Sequence, residues 1–363
     1  MTLRSFTAYA YASPLEQSTH SPITAANDKL LPPAPEEIGT IADEKNKSQR
    51  AQTLLVVDAA CDMPSEWLSD NHVAVLPIRL GVDDWELIDV HNEFDAREFF
   101  RKDLTARGSH ASSTPLSPAE TREFVQSHLS EEIDFVLQVT IASGRSKIYM
   151  NSLAAMHQLT VAHNRVRRSI GNRTPFKTWV VDSETGFTGQ GVILAETVRL
   201  LKHGLSAAKV ALTLETLRSK VHAFMVPKDV YYLYRRAREK GDKSLSWLSY
   251  NVAQALEIKP IVHAHGGTTE PVLKVRGHQQ ALDRIIGIAQ RQVMRGLATR
   301  AVCVSYAGNL EDVRVMSSYR QLRETCRAEK IELILSTMSM TGGLNVGADA
   351  FSIAFACDEL DLS

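Results

Sequence analysis

Residues 53–64 read TLLVVDAACDMP, and residues 178–186 read TWVVDSETG. Each opens on a run of aliphatic and β-branched residues, Thr53–Val57 and Thr178–Val181, and ends on an aspartate followed by small and hydroxylic residues. A run this apolar, without polar alternation, suits a strand covered on both faces. Two more such runs, Val73–Leu80 and Phe135–Thr140, lie between them. Stretches with helical spacing separate the four, at Asp95–Leu104, Ser117–Leu129 and Ser152–Arg168. Strands alternating with helices imply βαβ units and a parallel sheet. That defines an N-terminal α/β domain over 51–205.

Further out the texture changes. Helices at Ser206–Lys220 and Val230–Lys240 flank the short run His222–Val226. A hairpin follows, Ile258–Ala264 and Pro271–Val275, turned by His265, Gly266, Gly267 and Thr268. A helix at His278–Leu297, a strand Val302–Tyr306, a helix Glu311–Glu329, and strands Ile331–Leu335 and Phe351–Ala356 complete a C-terminal domain over 206–363 with a mixed sheet. In the other direction, residues 1–50 hold five of the 13 prolines (Pro14, Pro22, Pro32, Pro33 and Pro35) and no period of either kind, which reads as a flexible tail. The expected fold is α/β, with a parallel-sheet domain followed by a mixed-sheet one.

Composition narrows the function classes. With 44% apolar and 23% charged residues in 363, two cores can be built. A net charge of −1 gives no reason to expect nucleic acid or an anionic membrane as partner. Cys61, Cys303, Cys326 and Cys357 form no C-x-x-C pair and no zinc spacing, so they read as core thiols of a reducing compartment. No stretch of 18 apolar residues exists, and Met1 to Ala12 lack the apolar run of a secretory signal. The cytoplasm is the expected location.

Ligands of open parallel sheets bind beyond the carboxyl ends of the strands, which makes Asp58 and Asp182 candidates. Taken alone they read first as caps of turns and of the following helices. Two hydroxyl-rich loops, Gly108 to Pro115 and Ile141 to Ser146, each precede a helical stretch and could receive an anion. Plain N-caps again serve as the alternative. His263 and His265 form an H-x-H on one strand face, read as a hairpin-surface pair, since no motif places a third metal ligand. Arg235, Arg236, Arg238 and Lys240, with Tyr231, Tyr232 and Tyr234, read as a solvated helix face or a docking surface. Gly342, Gly343 and Gly347 lack the context of a dinucleotide loop.

Taken in order, the segments resemble the DegV family. They are VVDAACDMP at 56–64, LPI at 76–78, SSTP at 112–115, VVDS at 180–183, LEIKPI at 256–261, PVLKVRG at 271–277 and YAGNLED at 306–312. The resemblance runs from Leu54 to Phe355. It implies two α/β domains holding one long-chain fatty acid in a tunnel between them, no catalytic centre and no cofactor. It also implies presentation of that acid to a separate fatty acid kinase. The family's carboxylate-binding hydroxyls fall on Ser112 and Ser113 and, from its Ser-Gly-Thr loop, on Ser146. Here Ser146 is followed by Lys147, Ile148 and the matching Tyr149.

The chain departs from the family in three places. A His-x-Gly-Pro-Gly loop is replaced by Met340, Thr341, Gly342 and Gly343, with no histidine after His278. Asp242 stands where the family has arginine, and Ser-Gly-Thr has become Ser-Lys-Ile. A nearby cation would help hold the head group, and Lys147, Arg145 and Arg79 are the local candidates, Lys147 foremost because it follows Ser146. The segments Leu76–Leu80 and Ile261–Ala264 are expected to line the tunnel, with Asp58, Asp182, Gly342 and Gly343 at its strand ends. Two other functions fit the same sequence. One is an enzyme handling phosphoryl or acyl groups through Asp58 and Asp182. The other is an interaction module with a different amphiphilic ligand.

Overall fold

A computed structural model describes residues 52–102, 104, 110–232, 235 and 257–362. The tail 1–50, Ser109, Leu256, Asp242 and most of the basic, tyrosine-rich helix expected at Val230–Lys240 lie outside the described residues.

The chain builds three sheets. Strands β1 (Gln52–Asp58), β2 (Val73–Leu76), β6 (Ile133–Thr140) and β7 (Lys177–Asp182) form a parallel sheet in the order β2-β1-β6-β7. A small antiparallel sheet, order β4-β3-β5, is made by β3 (Ile78–Val82), β4 (Trp85–Asp89) and β5 (Ala111–Pro115). The third sheet has the order β10-β9-β8-β13-β11-β12, from β8 (Val221–Val226), β9 (Ile258–His265), β10 (Thr268–Arg276), β11 (Ala301–Tyr306), β12 (Glu332–Thr337) and β13 (Phe351–Ala356). It is mixed: β11 and β12 run parallel, and the other pairs are antiparallel. The parallel sheet, the mixed sheet and the two-domain α/β architecture are those expected.

Period-2 alternation sorts the strands into three apolar layers. Leu55 and Val57 of β1 face helices α5 (Thr188–Lys202) and α6 (Ala207–Leu217), while Leu54 and Val56 face the opposite layer. The mixed sheet meets the α5 layer with small residues, Ala223, Ala264, Ala301, Cys303, Ala354 and Ala356. That lets α5 lie close. Its Gly189 and Gly191 leave no room for a Cβ against Thr185 and Met63. The outer face of the mixed sheet carries Phe224, Ile261, Phe351 and Phe355 under α7 (His278–Arg295) and α9 (Ser317–Ala328).

Several expected elements change shape. The single run Val73–Leu80 is two strands in different sheets, divided at Pro77, which has no N–H to continue a ladder. The hydroxyl-rich stretch expected as a loop pairs with β3 as β5. The helix expected at Glu311–Glu329 is two, α8 (Leu310–Arg314) and α9, because Met316 is extended. The hairpin turns where expected. Gly266 and Gly267, with φ of +54° and +76°, adopt the left-handed pair that a two-residue turn requires.

Candidate functional site

The layer on the far side of the parallel sheet gathers residues from distant parts of the chain. It holds Ile78 and Leu80 of β3, Phe99 of α2 (Glu93–Arg101), and Ile148 and Met156 of α4 (Ile148–Ser169). Met340 and Leu344 reach it from α10 (Met340–Val346), and Phe100 and Tyr149 pack at its margin.

β5 presents hydroxyls at the edge of this layer. Paired residues of an antiparallel ladder share a face, so register decides which way each points. Ala111, Ser113 and Pro115 oppose Val82, Leu80 and Ile78, all three buried in the layer. Ser112 and Thr114 oppose Gly81 and Arg79 on the other face. Ser112 therefore does not share a face with Ser113, and its Oγ lies 3.5 Å from the Gly81 carbonyl. Arg79 is turned the same way as Ser112 and forms an ion pair with Glu120. That glutamate is the N3 member of the capping box of α3 (Pro118–Ser127). Of the cations the sequence offers, Arg79 is thus directed away from the apolar layer.

Ser146 stands just before α4, half-buried, and its Oγ accepts a bond from the Ile148 amide at 3.2 Å. Lys147 is the exposed N-cap residue, and Ile148 dips into the layer. Asn151 ties α4 to the end of β5, donating from Nδ2 to the Leu116 carbonyl at 2.7 Å.

The strand-end aspartates act as clasps for backbone. Asp58 is fully buried. It accepts from the amides of Ala60 at 3.2 Å and Ile141 at 2.7 Å, and from Gln190 Nε2 at 3.1 Å. Burial nonetheless raises its carboxyl to about 6, with the three donors opposing the shift. Asp182 accepts from the Ser143 and Glu184 amides at 3.1 and 3.0 Å. Both carboxylates point their oxygens at loop amides, which is the turn-capping role.

Gly342 donates its amide to Ser339 Oγ at 3.0 Å. At Gly343 a Cβ would run into the ring of Phe100. The expected tunnel walls separate: Leu76, Ile78 and Leu80 belong to this layer, whereas Val262 and Ala264 face the α5 layer.

The polar residues that sequence reading passed over join the two halves of the molecule. Asp62, just past β1, accepts from Ser305 Oγ of β11 at 2.6 Å and from the Ser339 amide at 2.9 Å. Asp89, at the end of β4, accepts from Thr341 through both its amide and its hydroxyl, each at 2.7 Å. It also accepts from the His91 amide at 2.9 Å. Desolvation pushes both carboxyls up from their ordinary value.

A parallel sheet and a mixed sheet packed through shared buried helices define a two-domain α/β protein. A family model described as uncharacterised protein, DegV family, matches residues 52–358. A DegV domain-containing protein of Xanthomonas campestris pv. campestris is 36% identical over 304 residues, covering 84% of this chain and 97% of that relative. The chain belongs to the DegV family. Among solved structures, a DegV lipid binding protein from Thermotoga maritima superposes with a TM-score of 0.66 at 18% identity, covering 85% of this chain and all (100%) of that one. A stearic acid-binding protein from Eubacterium ventriosum gives the same TM-score, 0.66, at 16% identity, with 84% and 98% covered. Among the described residues no helix is long and apolar enough to cross a membrane.

Proposed function

We propose that this chain binds one long-chain fatty acid in the apolar layer beneath β5 and α10, with the carboxylate held by the hydroxyls of Ser113 and Ser146. The observation that carries this reading is the register of β5. It turns Ser113, and not Ser112, onto the face occupied by Leu80, and Ser146 accepts from the amide of Ile148, whose side chain is buried in that layer. A hydroxyl that accepts from the Ile148 amide still has its own proton to give, which is what a carboxylate needs. The fold shared with lipid-binding and stearic acid-binding proteins supports the ligand class. Presentation of the acid to a separate fatty acid kinase, with the chain divided near residue 206 and working in the cytoplasm, completes the proposal.

Magnitudes favour an apolar tail with a hydrogen-bonded head. Burying sixteen carbons at about 0.8 kcal/mol each comes to roughly 12 kcal/mol before ordering costs. An unpaired buried carboxylate would consume much of that. Two hydroxyls at about 1.5–3 kcal/mol each offset the loss.

Titration of delipidated protein with palmitate tests the head-group assignment. Ser146→Ala and Ser113→Ala should each weaken binding about ten- to a hundredfold, with little change in melting temperature. If Ser146 merely caps α4, the pattern reverses: about 1 kcal/mol is lost from folding and nothing from binding. Lys147→Met keeps the apolar stem and removes the charge. It should weaken palmitate and spare hexadecanol, and equal effects on the two would remove Lys147 from the site.

A further inference from the structure

We propose that His222, His263 and His265 form a binding site for a late first-row divalent cation such as Zn²⁺, on the outer face of the mixed sheet. The third ligand missing from the H-x-H of β9 comes from the neighbouring strand. β8 and β9 pair with Ala223 opposite Ala264 and Phe224 opposite His263. Alternation then puts His222 on the same face as His263 and His265, and one ring nitrogen of each lies within 4.8 Å of the others. The site is far in kind from a surface pair, because His222 and His263 are only 6% and 9% exposed.

The surroundings suit ligation. His222 Nδ1 and His263 Nε2 are 3.0 Å apart. Two nitrogens bound tetrahedrally to zinc at 2.0–2.1 Å would be about 3.3 Å apart, so this edge of the site already has nearly the right span. His265 Nδ1 lies 2.8 Å from the Val221 carbonyl, to which it can only donate. That bond sets the tautomer and leaves Nε2 with its lone pair, as a backbone carbonyl does behind many metal-bound imidazoles. His222 is braced in the same way by a hydrogen bond with the Cys357 backbone. The Phe224 ring, stacked on His263 with centroids 4.7 Å apart, fixes that imidazole and keeps water from its face.

His265 stacks on His222 with ring centroids 4.2 Å apart and is the half-buried member of the three, which puts the fourth position on the solvent side. Three nitrogens without a carboxylate select Zn²⁺, Ni²⁺ or Cu²⁺ over Mg²⁺ and Ca²⁺. The site clamps β8 to the β9–β10 hairpin. It lies in the layer under α7, not in the one proposed for the fatty acid, so the two proposals stand or fall separately.

The test uses the full chain without any polyhistidine tag, stripped with a chelator and titrated with Zn²⁺. One equivalent should bind, with a rise in melting temperature and, for Co²⁺, an intense visible spectrum of tetrahedral type. His265→Asn, at a half-buried position that leaves the core intact, and His263→Gln should each weaken binding by at least about a hundredfold. Stoichiometric binding that persists in a folded His265→Asn protein, or its absence from the wild-type chain, would overturn the assignment.

Discussion

Asp58 holds three donors on a carboxylate that burial would prefer neutral, and this sets a pH signature. Its folded value of about 6 exceeds the ordinary 3.8, so between those values the folded chain keeps a proton the unfolded chain has lost. The stabilisation is fully present below about pH 4 and is lost as pH rises through 6, by about 3 kcal/mol in all. Asp58→Asn should abolish this component. Urea midpoints of the variant and the wild type, compared at pH 4.5 and 7, isolate it, because the raised carboxyls of Asp62 and Asp89 act alike in both proteins. Parallel pH slopes would contradict the assignment. Asp58 and Asp182 were legible as strand-end residues from the sequence. The roles of Asp62 and Asp89 were not, since their partners Ser305 and Thr341 lie 243 and 252 residues away.

Elements were legible where local pattern and tertiary pairing agree. β1, β6 and β7 are apolar runs buried on both faces, and the β9–β10 hairpin carries its own turn glycines. β5 was not legible. Ala-Ser-Ser-Thr-Pro has the composition of a loop, and it becomes a strand because β3 offers a free ladder edge once Pro77 has diverted the chain from the first sheet. α10 was equally hidden, since its two adjacent glycines argue against a helix. They are there for contact. Gly343 abuts Phe100 at the meeting of α2 and α10, with no space for a Cβ. Gly343→Ala should therefore cost about 1–3 kcal/mol of stability by overpacking, measured by chemical denaturation. A Phe100→Leu background should return part of that loss. An unchanged midpoint for Gly343→Ala would show that the ring moves aside freely.

At the scale of the molecule, the two halves are joined by α5 packed between the sheets and by two buried carboxylates that take donors from the opposite half. Asp62 is bonded to β11 and to Ser339, and Asp89 to Thr341. Ser339 precedes, and Thr341 belongs to, the stretch that departs from the family's His-x-Gly-Pro-Gly loop. In this chain that stretch docks α10 onto the apolar layer and brings no histidine to it. The resemblance supplied the proposed ligand class, while which β5 hydroxyl shares the face of the apolar layer became readable only from strand register. Native mass spectrometry of the full chain, purified without detergent, addresses the central claim most directly. The expected spectrum shows one long-chain fatty acid per chain, removed on delipidation and restored by palmitate or oleate. A bare chain that takes up neither acid would contradict it.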